Sequence, residues 1–529
     1  MSRSPTDVRY GEWISVTWRG DADPVDLPDE LRDRTRLGFQ EILEHAHLIE
    51  SIDAESPAVL AGVLRILYAM AARVTCVGDA LGLDELDEDE DAGDWRQRRS
   101  GIVAVGRFDP QRVAAYFDRY ADRFGLCDLH RPFLQDPRLK TQCKKTAGVN
   151  KLVFGRPAGN NHRWFGSAHN DAAPLPITMP QALQNLIAWH YFGPSGRCAT
   201  RTAGSVSEAN TRSGPLRSTI SFHLVGPSLF HTLIAGIPTP QEGGDPEPDL
   251  CPWETDDLPD PTGAAPKITG TASLLTGRSQ HALLLVPDDD REHVVDAYIT
   301  WAWRDIIPSP PDPFLCWLTS KEGNPYPRRA ESARALWRDL DSLLSEQSTA
   351  GTDLRPAIFR NPAPIDGRYR VLALGFDQDG QAKDNQFVDA LTPPIISGHA
   401  EANAELGRRI GDLRRAGETV ASNLDRAAKM AWSLFVAEKL KDCSWSQEAA
   451  VRYWPEAEDE FWIRLNTEDF DGVHKSFRAI ATKVYNEVTD QACGSIRGVK
   501  AVETARLELY GGRVKHLTKA AGGKGKVAK

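Results

Sequence analysis

At Pro393-Pro394 and Ser397-Gly398 the apolar pattern of this chain changes period, and that change divides it in two. Beyond the boundary, apolar residues recur only at helical spacing. The sets are Leu406, Ile410 and Leu413; then Leu424, Ala428, Ala431 and Phe435; then Phe477, Ile480, Ala481, Val484 and Val488; then Val502, Ala505 and Leu509. Residues three and four apart share one helix face, so each set makes a stripe that must be buried against another helix. With the acidic segment 455–465, the pattern predicts an antiparallel four-helix bundle over 398–520. The Gly/Lys-rich stretch 521–529 predicts a basic, disordered tail.

Before the boundary, strand and helix periods are mixed. Alternation over 13–18 predicts a strand, as do the apolar runs 281–286 and 369–376. The segment 57–72 predicts a helix, with Val59, Leu60, Val63, Leu64, Ile66, Leu67 and Met70 on a wide apolar face, Pro57 in its first turn and Ser56 as cap. Helices are also predicted over 110–124 and 180–191. Polar Gly/Pro-rich stretches at 165–176, 193–215, 238–267 and 377–385 read as long loops, a length uncommon unless the loop is functional or disordered. The expected class is therefore α+β: a large mixed α/β domain over 1–392 with long loops, then the bundle.

No apolar run suggests a membrane span, and Met1 to Asp7 carries no signal-like stretch, so the expected location is cytoplasmic. The eight cysteines form no CxxC pair, which argues against a zinc ribbon or a disulfide framework. The net charge is −11, which disfavours a general nucleic-acid binder. From Ser397 on the net is +3, which leaves −14 on the rest, much of it in the run from Asp84 to Asp91. Any contact with DNA must then be local, made by a few loops.

Known catalytic patterns are missing. There is no phosphate-binding GxxxxGK[ST], no HExxH and no GxSxG. The pairs His162/His169 and His223/His231 lack metal-site spacing, and Asp288-Asp289-Asp290 reads as a solvated hairpin tip. The expectation is a protein without covalent chemistry, without cofactor and without metal. Two other readings stay open: a protein-only scaffold, and a nuclease with an unrecognised metal site.

Several segments carry a resemblance. They are Trp13-Ile14-Ser15-Val16; Tyr116-Phe117-Asp118-Arg119-Tyr120 followed by Arg131-Pro132-Phe133-Leu134-Gln135; and Gly159-Asn160-Asn161 with Phe165. Further on come Gly226-Pro227-Ser228-Leu229, Pro252-Trp253-Glu254, Asp312-Pro313 and Arg334 to Leu340. In kind and order they resemble the CasA family, the large subunit of type I-E CRISPR Cascade complexes. The resemblance implies a DNA-inspecting subunit that works with other Cascade subunits and the CRISPR guide RNA. It reads a short protospacer-adjacent motif in double-stranded target DNA, helps open the duplex for R-loop formation and recruits a helicase-nuclease. Protein reads the short motif and base pairing reads the sequence.

The resemblance also assigns roles. Gly193-Pro194-Ser195-Gly196 stands where the family has a glycine-rich DNA-reading turn, although Pro194 removes a donor and the same residues read as a helix-ending turn. Arg197 and Arg201 flank it as phosphate contacts. Gly380-Gln381-Ala382, with Lys383 beside it, matches the family's strand-separating wedge, Gln381 replacing lost base stacking; it also reads as a plain hairpin turn. Asn160, Asn161 and Phe165 match a loop that docks near the guide RNA end or a neighbouring subunit, although Phe165 reads equally as a core anchor. The family's lysine finger has no counterpart, and Arg304 is the substitute. In the bundle, Arg408, Arg409, Arg414 and Arg415 are candidate DNA contacts, though solvated helix faces look the same.

Overall fold

The computed structural model describes residues 4–20, 27–76, 95–158, 169–239, 247–307, 309–332, 334–344, 355–360, 365, 367–378, 384–397, 400–436 and 443–514. The chain forms two compact units. The first comprises Met1–Arg334 and Glu346–Asn403, the second Ala335–Ser345 and Ala404–Lys529.

The first unit is built around the helix Pro57–Thr75. Ser56 Oγ accepts from the Val59 amide at 3.3 Å, Pro57 opens the first turn, and Cys76 ends it in a left-handed conformation (φ 55°). By length and composition this helix is apolar enough to cross a bilayer, which the sequence reading did not anticipate; 94% of its apolar window is buried within the protein, so it is a core helix. Gly62 lets the helix Met179–Phe192 approach closely: a Cβ there would lie 2.5 Å from Ile187 Cγ2.

One buried charge on this helix is paired across the fold. Arg65 makes two bonds to Asp312, at 2.8 and 3.1 Å, and Arg278 a third at 3.0 Å. Burial alone would raise the Asp312 carboxyl, but Arg65 and Arg278 hold it below the usual carboxylate range. Removing Asp312 would leave two buried guanidinium groups without their counter-charge.

All strand pairs of this unit are antiparallel. Ile14–Trp18 lies between Arg36–Leu37 and Ile49–Asp53. His293–Trp301 lies between Ile177–Thr178 and His281–Pro287. Arg370–Gln378 pairs with Asp384–Leu391 on one side and Ile220–Val225 on the other, with Leu372 opposite Leu391 and His223. The mixed α and antiparallel-β class expected from the sequence is what the chain adopts.

Two of the segments that carried the family resemblance, those around Tyr116–Gln135 and Pro252–Glu254, pack in the core. Phe117, Phe124, Phe133 and Trp253 form a chain of rings with centroids 5.0 to 5.5 Å apart. Tyr116 donates to Glu254 Oε1 at 2.7 Å and accepts from Trp253 Nε1 at 2.8 Å, and Arg73 reaches the same carboxylate at 3.1 Å. Burial pushes the Glu254 carboxyl up in spite of Arg73.

Among the described residues the second unit holds the short helix Leu340–Leu344 and four longer α-helices: Ala400–Phe435 from residue 404 on, Ser444–Asn466, Val473–Thr489 and Ile496–Leu509. Each of the longer helices touches the next. Tyr453 donates to the Gly417 carbonyl at 2.8 Å, Arg452 to Glu487 at 3.1 Å and Tyr485 to the Val502 carbonyl at 2.8 Å. Arg426 closes the circuit on Glu508 at 3.5 Å. The units are divided otherwise than the expected 392/398: the first runs on to Asn403, and Ala335–Ser345 belongs with the helices. Trp337 of this segment is fully buried, 4.8 Å from the Phe461 ring and 5.9 Å from Trp454. The predicted tail 521–529 lies outside the described residues.

Candidate nucleic-acid interface

The three segments assigned to nucleic acid start from one aromatic cluster in the first unit. Phe154, a few residues before Asn160, stacks on Trp189 at 5.4 Å and meets Phe376 edge-on at 5.7 Å. Trp189 and Phe192 end the helix from which Gly193 departs, and Phe192 lies 6.4 Å from Phe376. Phe376 and Phe387 are cross-strand partners, 4.2 Å apart, in the strand pair that precedes and follows the sequence segment 379–383. The far ends of two segments, Asn160, Asn161 and Phe165 in one and Gly380, Gln381, Ala382 and Lys383 in the other, lie outside the described residues.

The base of the second segment is held by a polar network. Gln378 is buried, its carbonyl accepts from Ser218 Oγ at 2.6 Å, and its Nε2 donates to Asp384 Oδ1 at 2.7 Å. Arg217 reaches the same Asp384 oxygen at 2.9 Å and donates to the Phe192 carbonyl at 3.1 Å. One buried guanidinium thus ties the hairpin base to the residue before Gly193. Asn385 and Ser332 bond both oxygens of Asp377, and they hold its carboxyl low although partial burial would raise it. Sequence reasoning missed Arg217 and Gln378. Nothing local marks either, since Phe192 stands 25 residues from Arg217 and Ser218 stands 160 from Gln378.

The glycine turn divides into two glycines with different reasons. Gly193 is buried and its backbone is committed: its amide donates to Trp189 at 3.0 Å and its carbonyl accepts from Gly214 at 2.9 Å. A Cβ there would lie 2.6 Å from His281 Cε1 and 2.7 Å from the Trp189 carbonyl, so packing excludes any side chain. His281 Nε2 donates to the Pro194 carbonyl at 3.1 Å, and burial lowers this imidazole to about 4. Gly196 has φ +116°, and a Cβ at this position would meet nothing within 4 Å, so the space on its side-chain side is open. Ser195 lies between them, half-buried.

Beyond the turn the chain forms a strand pair, where the sequence reading expected a loop over 193–215. Gly196–Ala203 pairs with Val206–Thr211 around Gly204 (φ +57°), the positive-φ residue that a tight hairpin turn requires. The pairing also corrects Arg201. Its side chain is fully buried, ion-paired with Asp136 at 2.6 Å, bonded to Gln142 Oε1 at 2.7 Å and to the Trp301 carbonyl at 3.0 Å. All its donors face inward, so it is no phosphate contact. Arg197 is exposed, with its carbonyl accepting from Lys151 Nζ at 3.4 Å. Arg304 stacks over the Trp301 ring at 5.2 Å and donates to the Asn210 carbonyl at 3.1 Å, which fastens it to the second strand of the pair.

In the second unit the four candidate arginines form pairs within their own helix. Arg408 and Arg409 meet Glu405, Arg414 meets Glu418, and Arg415 meets Asp412. Exposed pairs at three or four residues contribute little and leave little net field. These residues therefore do not form a basic stripe. Among the described residues no group of three His, Cys, Asp or Glu side chains is placed to hold a metal ion.

A family model described as CRISPR-associated protein Cse1 matches residues 11–493. A curated CRISPR-associated protein CasA/Cse1 from Thermus thermophilus is 26% identical over 315 residues, 59% of this chain; the chain spans 57% of that relative's length. Among solved structures, a chain from a CRISPR RNA-guided surveillance complex is 38% identical, with a TM-score of 0.81 over 95% of this chain and 99% of that one. Cse1 from Thermobifida fusca, at 16% identity, shares the fold with a TM-score of 0.74 over 96% and 97% of the two chains.

Proposed function

Because the chain belongs to the CRISPR-associated Cse1 family, also written CasA/Cse1, we propose that it is the large subunit of a type I-E RNA-guided surveillance complex. In this role it binds and positions, without covalent chemistry, in the cytoplasm. The turn at Gly193–Gly196 meets the protospacer-adjacent motif of duplex DNA, the Gln381 hairpin enters the duplex beside it, and the Asn160–Phe165 segment docks on the guide RNA end or a neighbouring subunit. The opened complex then recruits the helicase-nuclease.

The observation that carries this reading is the common root of the three segments. Glycine turn, hairpin and docking segment leave one aromatic cluster, and Arg217 bridges the first two through Phe192 and Asp384. A motif reader must open DNA next to the motif it has read, and rigidly joined elements keep that register.

The test is duplex binding by the guide-loaded complex with and without this subunit, on targets that carry or lack the adjacent motif. The expected result is tighter binding only with the motif, and slower R-loop formation for Gln381→Ala and for Gly196→Val. Equal binding without the subunit would refute the reading and favour a protein-only scaffold; metal-dependent cleavage by the subunit alone would favour a nuclease.

A further inference from the structure

The acidic chain must concentrate any duplex contact in a small area, and Arg201, the residue expected to help, is buried. What Arg201 does is fasten another segment to the hairpin. Its Nε donates to Gln142 at 2.7 Å, and Cys143 pairs with Arg201 in an isolated antiparallel bridge. The fastened segment is Lys140-Thr141-Gln142-Cys143-Lys144-Lys145, and all three of its lysines are exposed. Among the described residues none of the three has an ion-pair partner, and neither has Arg197. In an antiparallel pair, stepping forward from Cys143 means stepping back from Arg201. Lys144 and Lys145 therefore run toward the Arg197 end of the strand, where the space on the side-chain side of Gly196 is open. The contrast with Arg408, Arg409, Arg414 and Arg415, which all have carboxylate partners (Glu405 shared by the first two), is direct.

We infer that Lys140, Lys144 and Lys145, together with Arg197, form a phosphate-contacting strip for the duplex arm that flanks the Gly193–Gly196 turn. The inference rests on the proposed reading that this turn meets duplex DNA. Lysine ammonium groups on flexible stems suit a sequence-independent backbone contact, so the strip adds affinity and leaves the choice of motif to the turn.

The test uses the guide-loaded complex rebuilt with the full chain and a duplex bearing target and motif, and it follows affinity against salt concentration. Every lysine–phosphate pairing that is removed takes about 0.9 off the log–log salt slope, so K140A/K144A/K145A lowers the slope by about 2.7 and keeps the preference for the motif. K140R/K144R/K145R keeps the parent slope. A slope within about 0.5 of the parent for the alanine variant overturns the inference while the proposed function stands. An unchanged slope with weaker retention of the subunit in the complex also overturns it, and assigns the strip to RNA or protein docking. If the parent subunit itself gives no motif-dependent gain, the functional reading fails, and the inference with it.

Discussion

Replacing Arg217 with Met removes the only described side chain that bonds both the end of the Met179–Phe192 helix and the base of the Gln381 hairpin. The Arg217 side chain is 3% exposed and Asp384 23%. Breaking a fully buried ion pair costs about 3–5 kcal/mol. Here Asp384 reaches solvent and keeps its bond from Gln378, so the pair itself should cost about 1–2 kcal/mol, and the lost bond to the Phe192 carbonyl about 1 more. The expected loss for R217M is thus about 2–3 kcal/mol. The assay is a double-mutant cycle of R217M with D384N, followed by urea unfolding of the full chain and by the rate of R-loop formation in the complex. Residues in one ion pair couple by about 0.5–3 kcal/mol, and R-loop formation should slow in both single variants while motif binding is retained. If the single changes add within about 0.5 kcal/mol and the rate is unaffected, the bridge does not join the two elements and they share no rigid root.

Arg201→Met should lower the melting temperature, since Asp136 loses a buried partner, yet leave the salt slope of duplex binding unchanged; a fall of about 0.9 in slope would return Arg201 to the phosphate contacts. Trp337→Ala should cost the helical unit about 3–5 kcal/mol, read from the near-UV signal of its tryptophans on urea unfolding, and a loss under about 1 kcal/mol would detach 335–345 from that core. Stability should also fall with acid before the carboxylates titrate. Burial lowers His190 and His281 to about 4 and His223 to about 3, so from the free-imidazole range near pH 6.5 downward the unfolded chain binds more protons than the folded one. Their contribution is complete above about pH 6.5 and drains away as pH falls toward 4, so a urea midpoint that stays flat between about pH 7 and 5 would contradict the buried neutral imidazoles.

Helices with strong periodicity were legible: the predicted 57–72 is observed as Pro57–Thr75 and the predicted 180–191 as Met179–Phe192, because apolar spacing, Pro at the first turn and capping side chains agree. The pair Gly196–Ala203 and Val206–Thr211 was not legible as strands. Its residues are mostly polar and half-exposed, so no alternation marks it. Arg201 was misread for a related reason. Its charge suggested solvent, while the carboxylate that accepts it, Asp136, stands 65 residues earlier. The segment around Trp337 looked like part of the first domain because it precedes the period change, and only packing reveals that its apolar face matches Phe461 and Phe477. The candidate site was legible as a list of turns; the cluster of Phe154, Trp189 and Phe376 that gathers them was not, since no local pattern links those three rings.

The placement of Ala335–Ser345 has a consequence for synthesis. Both units are discontinuous in sequence, and the one that contains Trp337 cannot close until the chain beyond Ala404 has been made. Until then a growing polypeptide carries Leu336, Trp337, Leu340, Leu343 and Leu344, all buried in the finished protein, without the helices whose rings pack on Trp337. Such uncovered apolar segments are what chaperones and proteases bind. A product halted before the last helices is therefore expected to be cleared faster than the finished chain.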